Sequence, residues 1–290
     1  MHAARTMRSR GLCAQRARLR RNMHSIQQEV LPSWVSTRTT RVDETGLEVA
    51  TFGARQDNYG FVVRGGGNGG GDTGETLAVD TPEWAPLLEA LHGSKLDVLL
   101  TTHGHHDHVA GHEDAAKYFG SGLRIYGPEE ETNHIPKLTD TVKPGDEIEL
   151  AGETVRVINV SGHTLGHIAY YFTRSKVLFP GDSIFPLGCG RVFEGTFEDS
   201  YEALNRIKEL PHETLIFAAH EYALSNAAFA VWADPNNADL AAHAEFLKAQ
   251  VAAKEPTVPT TLGQELRFNP FLRAETLERF SELRKQKDNF

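Results

Sequence analysis

Thr102-His103-Gly104-His105-His106-Asp107-His108 is the stretch on which the reading of this chain turns. It follows directly on Leu96-Asp97-Val98-Leu99-Leu100-Thr101, an apolar run of buried-strand character. Imidazole and carboxylate together suit zinc, iron or manganese. His103, His105, Asp107 and His108 fall within six residues, and Gly104 lets the loop turn, so their side chains can converge on one small volume. A tetrahedral site with an open position uses three protein ligands. With His106 the loop offers five candidate side chains, and that surplus points to two metals.

More candidates stand at the ends of other expected strands. His163, in Ser161-Gly162-His163-Thr164, follows a strand over 155–160. Asp182, in Pro180-Gly181-Asp182, follows one over 176–179, and His220 terminates one over 215–219. Strands that end on one sheet edge bring their following loops together, and a rigid sheet can hold such a constellation in place. Asp80 ends a strand over 76–80 and reads either as an acceptor orienting a ligand histidine or as an ordinary turn aspartate.

Outward from these positions the pattern is mixed. Strands are expected at 47–52 and 59–63, then a run from Gly65 to Gly71. That run reads as a flexible link between antiparallel strands, because no Lys-Ser/Thr follows it to cradle a phosphate. A helix begins near Pro82, carries Trp84, Leu87, Leu88 and Leu91, and closes at Gly93. A short helix holds Ala115, Ala116, Tyr118 and Phe119; a strand follows at 123–126 and a polar loop at 127–146. A hairpin turns about Gly152, strands follow at 168–172 and 176–179, and a helix spans 200–210. Beyond His220 the pattern is helical, at 237–252 and 274–287, with a loop-rich connector over 256–270. The class is α+β: a mixed domain over 46–220 and a helical one over 221–290.

Charge separates off the N-terminus. The chain has 30 Lys and Arg against 39 Asp and Glu. Residues 1–28 hold seven arginines and no acid, so the remainder stands at 23 against 39, or −16. A body that acidic makes a poor nucleic-acid partner, since phosphate neutralisation supplies most of that affinity. Apolar runs are too short for a membrane-spanning helix. Apart from Cys13 in the leader the one cysteine is Cys189, which cannot form an intramolecular disulfide and fits a reducing compartment. The leader, taken as 1–45, has the composition of an organelle transit peptide. It predicts a mitochondrial protein, with a plastid as the alternative and a start at Met23 giving a cytoplasmic form.

His103-x-His105-x-Asp107-His108, then His163, Asp182 and His220, resemble the metallo-β-lactamase superfamily, and within it glyoxalase II, the hydroxyacylglutathione hydrolases. Phe179-Pro180-Gly181-Asp182-Ser183, Gly188-Cys189-Gly190-Arg191, Ala219-His220-Glu221-Tyr222 and Asn269-Pro270-Phe271-Leu272-Arg273 narrow the match. The resemblance covers about 46–290. It implies an αββα sandwich with a C-terminal helical domain that binds glutathione. His103, His105 and His163 would hold one divalent metal; Asp107, His108 and His220 a second; Asp182 would bridge them. Zinc is expected, with iron or manganese as alternatives. His106 and His112 would not be ligands, and His167 would support from behind.

The implied reaction is hydrolysis of S-D-lactoylglutathione to glutathione and D-lactate, with Asp107 and Asp182 as the catalytic carboxylates and a hydroxide bridging the metals. A thiolate leaves readily, since a free thiol has a pKa near about 8.5, so no strong general acid is required. No Gly-x-Ser-x-Gly elbow supports serine chemistry. By the same resemblance Arg191, Phe193, Tyr222, Arg284 and Lys287 would line the glutathione pocket of a monomer. Lysine is commoner where Arg191 stands and tyrosine where Phe193 stands, which removes one hydroxyl, worth about 0.5–1.5 kcal/mol. Alternatives are a persulfide dioxygenase with one iron, which lacks the basic tail, and a silent paralogue that binds glutathione conjugates.

Overall fold

The computed structural model describes residues 34–65 and 74–290. The arginine-rich leader and most of the glycine run lie outside the described residues. Seven strands form the first sheet, in sequence order: β1 Arg38–Arg41, β2 Glu48–Ala54, β3 Asn58–Arg64, β4 Thr76–Val79, β5 Val98–Leu100, β6 Arg124–Pro128 and β7 Asp140–Val142. The second sheet contains β8 Glu147–Leu150, β9 Glu153–Asn159, β10 Ile168–Phe172, β11 Val177–Phe179, β14 Leu215–Ile216 and β15 Thr260–Thr261, in the order β15-β14-β11-β10-β9-β8. A two-stranded ribbon, β12 Ile184–Phe185 and β13 Gly188–Cys189, stands apart. The helices are α1 Trp84–Ala90, α2 His106–Val109, α3 His112–Phe119, α4 Phe197–Lys208, α5 Ala223–Ala233, α6 Ala238–Ala252, α7 Leu262–Phe268 and α8 Leu277–Asp288.

The period-2 geometry of the strands explains the layers. Along β3, Tyr59, Phe61 and Val63 point into the core between the sheets, while Val62 points to the opposite face, towards α1 and α3. Along β10, Ile168, Tyr170 and Phe172 enter the inter-sheet core, while Ala169 and Tyr171 face α4 and α8. Both faces of both sheets are therefore covered, which is why the strands read as continuous apolar runs. The order helix, sheet, sheet, helix is the αββα sandwich expected, and α5 and α6 add a fourth, smaller apolar cluster.

Three expectations need correcting. The leader does not extend to residue 45: β1 pairs antiparallel with β2, Arg38 opposite Thr51 and Arg41 opposite Glu48. Its charged, exposed side chains suit a sheet edge but resemble a polar leader in sequence. The connector over 256–270 contains α7, started by a capping box in which Thr261 and Gln264 satisfy each other's backbone donors. The loop over 127–146 contributes β7, parallel to β6, and a short 3-10 turn at Glu129–Glu131.

The helical tail does not stand alone, because β15 from the tail pairs with β14 and completes the second sheet. Beside that junction Glu265 is fully buried and accepts hydrogen bonds from the Leu187 amide (2.8 Å), the Thr260 hydroxyl (2.7 Å) and the Asn269 side chain (3.0 Å). Burial outweighs these neutral donors and pushes its pKa up to about 7. A carboxyl near 4.5 in the unfolded chain and near 7 in the folded one binds the same proton in both states at low pH. Between those values the unfolded chain ionises first, so stability falls as pH rises through the window. Glu265→Gln, neutral throughout, should gain on the parent across that window by about 3 kcal/mol. Thermal melts of both proteins at pH 4.5 and pH 8 test this, and parallel pH profiles would rule it out.

Candidate metal centre

The topology brings the expected ligands to one edge. β4, β5 and β6 run parallel, so Asp80 after β4 and Thr102-His103 after β5 emerge side by side. In the second sheet β9, β11 and β14 point the same way, delivering the loops that hold His163, Asp182 and His220. The two sheets are joined at this edge: the Ile168 amide donates to the Thr102 carbonyl at 3.1 Å, the Tyr170 hydroxyl to the Thr101 carbonyl at 3.0 Å, and the Tyr59 amide to the Ala219 carbonyl at 2.7 Å. The histidine loop itself winds into α2, so His105 stands just before its N-terminus and Asp107 and His108 project from its first turn.

Three groups of side chains have ligand atoms within 4.8 Å of one another: His103, His105 and His163; Asp107, His108 and His220; and His103, His108 and Asp182. Asp182 lies between the first two groups. Its carboxylate is 3.3 Å from His163 Nε2, 3.4 Å from His108 Nε2 and 3.4 Å from His220 Nε2. His103 Nε2, His108 Nε2 and Asp182 Oδ1 are buried and have no hydrogen-bond partner. Buried polar atoms are almost always satisfied. Three orphans converging among imidazoles and carboxylates are accounted for by cations that these atoms would ligate, so the residues fit a pair of divalent metals.

Outer partners fix four of the five ligand rings. His108 Nδ1 is 2.8 Å from Asp80 Oδ2 and His220 Nδ1 is 2.9 Å from Asp57 Oδ1. His163 Nδ1 donates to the Arg191 carbonyl at 2.8 Å. Asp80 also accepts from the Thr102 amide and hydroxyl, each at 2.9 Å, and the Thr102 oxygen lies 3.1 Å from His103 Nδ1. Such contacts turn the other ring nitrogen inward and select the tautomer that can ligate. Asp80, left between two readings by the sequence, thus orients both His103 and His108. Its backbone takes a left-handed turn (φ 52°) to do so. Gly181 also has positive φ (51°), and a Cβ there would meet His167 Nε2 at 2.5 Å and Thr102 Oγ1 at 2.6 Å. His167 accepts the Asp182 amide at 3.3 Å, His112 is buried against Thr101, and His106 is exposed.

Charge follows the geometry. Burial holds His103 and His163 below the usual histidine range. Burial alone would also lower His108, but Asp182 and Asp80 outweigh it and raise it to about 10. Burial would raise Asp182, yet His220 and His108 keep it well below the carboxylate range.

Two partners were not anticipated from the sequence. Asp57 and Asn58 sit at the turn into β3; Asn58 Nδ2 donates to Asp107 Oδ2 at 3.0 Å. Their signal was a polar pair directly before an apolar strand. The expected substrate contacts divide. Arg191 and Phe193 are exposed beside the centre, with the Phe193 ring 5.1 Å from His163 and 5.5 Å below the Arg191 guanidinium. Tyr222 stacks on His220 at 4.8 Å, and burial pushes its hydroxyl up to about 12. Lys287 Nζ rests on the Ser225 carbonyl at 2.8 Å. Arg284 is different: it is 5% exposed and its guanidinium donates to the Cys189 carbonyl at 2.8 Å and to Asp288 at 3.0 Å. The resemblance that placed Arg284 and Lys287 in the glutathione pocket could not show that Arg284 turns inward. Cys189 is buried too, and burial raises its thiol, away from any nucleophile's range.

The family model described as Metallo-beta-lactamase superfamily matches residues 56–220, and the one described as Hydroxyacylglutathione hydrolase C-terminus matches 221–290. A hydroxyacylglutathione hydrolase of Hyphomonas neptunium is 41% identical over 259 residues, spanning 84% of this chain and 98% of the relative. One of Rhizobium etli is 43% identical over 260 residues, spanning 84% and 99%. Among solved structures, ETHE1 from Myxococcus xanthus superposes with a TM-score of 0.56 at 19% identity, over 87% of this chain and 90% of that one. The BLEG-1 B3 metallo-beta-lactamase superposes at 0.57 and 20% identity, over 78% and 99%. These two likenesses bear on the fold alone. The relatives also overturn the mitochondrial destination read from the leader, and its plastid alternative: they are bacterial enzymes, from cells without either organelle. No helix among the described residues is long and apolar enough to cross a membrane.

Proposed function

Because this chain belongs to the hydroxyacylglutathione hydrolases (glyoxalase II) of the metallo-β-lactamase superfamily, we propose that it hydrolyses S-D-lactoylglutathione to glutathione and D-lactate at a pair of divalent metals. Zinc is the first choice, iron and manganese the alternatives. The observation that carries this reading is the position of Asp182 between two three-residue ligand groups. A mononuclear iron site would leave the group of Asp107, His108 and His220 without a purpose.

The chemistry supplied by such cations is Lewis acidity, which polarises a carbonyl and lowers the pKa of a water towards about 7. The protein's part is positioning and charge. Asp107 and Asp182 would offset only half of the charge of two divalent cations, leaving a net positive pocket that favours developing negative charge on a carbonyl oxygen. The departing thiolate is a good leaving group, and the ligand loops need supply no strong acid. Phe193 forms an apolar wall beside His105 and His163. Tyr222 remains protonated at neutral pH and can donate a hydrogen bond. Arg191 and Lys287 offer cations to the carboxylates of glutathione, while Arg284 holds the Cys189 turn in place from behind.

The test is thioester hydrolysis followed by absorbance, with metal content measured on the same sample. Two zinc ions per chain are expected, with activity lost to a chelator and restored by zinc. Undiminished activity in chelated protein would refute the reading. The two basic residues of the tail should also separate. Lys287→Ala should raise KM severalfold and leave kcat near the parent value, because it removes a contact remote from the chemistry. Arg284→Ala should instead destabilise the fold by about 2–3 kcal/mol by leaving a buried carbonyl unpaired. Equal effects of the two variants on KM, with no change in melting, would count against this division.

A further inference from the structure

Glu131 is a buried carboxylate outside the ligand set and outside any role given so far. It is 5% exposed and belongs to the 3-10 turn Glu129–Glu131, in a stretch whose sequence reads as plain polar loop. One carboxylate oxygen accepts the backbone amide of Gly104; the other accepts the hydroxyl of Thr164. Gly104 lies between His103 and His105, and Thr164 follows His163. A single side chain therefore ties together the two loops that carry the first ligand group, His103, His105 and His163. The fit is close: a Cβ on Gly104 would stand 2.9 Å from Glu131 Oε2 and 2.4 Å from the Cβ of His134. Thr164 is itself buried, and its carbonyl accepts the Gly162 amide at 3.0 Å, so the hydroxyl contact reaches the whole turn that aims His163.

The second group is braced by other residues. Asp80 holds His108, Asp57 holds His220 and Asn58 holds Asp107. None of these hydrogen-bonds Glu131, although Asp80 also reaches His103 through Thr102. A carboxylate needs strong donors when removed from water, and here it finds them only by spanning the two loops. We infer that Glu131 is a positioning residue that sets the spacing of His103, His105 and His163, and thereby the affinity of the first metal position without that of the second. It acts through the loops and touches no substrate. The inference rests on the two-metal reading proposed above.

Zinc-loaded parent protein is dialysed against graded chelator beside Glu131→Ala, Glu131→Gln and Thr164→Val, and metal content is counted. Parent protein must retain two zinc ions at low chelator; if it binds only one, the two-metal reading fails and this inference fails with it. Outer-shell partners of metal ligands typically contribute about 10–100-fold in affinity. Glu131→Ala should therefore lose one zinc at a chelator concentration at least about tenfold lower than the parent requires, and keep the other. Anomalous scattering from zinc-soaked crystals should show the peak beside His163 lost and the peak beside His220 kept. Glutamine can still accept from Gly104 and donate to Thr164, so Glu131→Gln should restore most of the first-site affinity. A merely structural glutamate would not give this one-site loss with amide rescue. If Glu131→Ala does not fold, Thr164→Val removes one contact alone and should weaken the same position by a smaller factor. Equal weakening of both positions in the variants that fold, or parent-like binding at both, would overturn the inference.

Discussion

Asp182→Ala is expected to lower kcat/KM for a glutathione thioester by three orders of magnitude or more, about 4 kcal/mol. It should also reduce zinc at both positions. The reason is geometric: a single carboxylate approaches nitrogens of His163, from one group, and of His108 and His220, from the other, all within 3.4 Å. Alanine would leave two cations facing each other with no anion between them. The buried imidazoles would gain no compensating partner, since His103 Nε2 and His108 Nε2 already lack one within the protein. Metal analysis after gel filtration, with kinetics on the same fractions, decides the point. Two zinc ions per chain and a rate within tenfold of the parent would show that Asp182 does not join the positions.

Phe179→Ala should be the most damaging single truncation for the fold. Phe179 is 1% exposed at the end of β11, and its ring lies 5.3 Å from Phe61 of the opposite sheet, 5.7 Å from Phe172 and 5.4 Å from Phe217. Removing a buried phenyl ring from such a cluster costs about 3–5 kcal/mol, from lost transfer energy and an unfilled cavity. In a chain of this size that lowers the melting temperature by on the order of 10 °C. Thermal and denaturant melts of metal-free protein isolate the packing effect from metal binding. A shift under about 2 °C would mean that the inter-sheet core repacks around the gap.

The parts of the fold that were legible in the sequence are those set by local pattern. Apolar runs marked β3, β5 and β10; the histidine loop stood where β5 stopped, and His163, Asp182 and His220 followed β9, β11 and β14. What sequence could not supply was contact between distant segments. β1 is charged and exposed, so nothing in its composition separates it from the arginine-rich leader; only pairing with β2 places it. Glu131 carries no local signature, and the polar pair at Asp57 does not show its role, because their partners are 27 to 163 residues away. Arg284 sits on the face predicted for a substrate contact, but burial against Cys189 depends on where α8 docks. The capping box at Thr261 was a local signal, yet the prolines around it pointed to a loop.

The pairing of β15 with β14 bears on how such enzymes can be recombined. A chimera joined just after His220, with the tail of one relative grafted onto the catalytic body of another, exchanges more than a substrate grip. It also replaces the strand that closes an otherwise open sheet edge and the buried glutamate beneath it. A donor whose Thr260 and Thr261 counterparts do not match the recipient's Leu215 and Ile216 would leave unpaired backbone amides and carbonyls next to the loop that carries His220. The crossover point that preserves the architecture lies after Asn269, with β15, α7 and its Glu265 kept as part of the recipient.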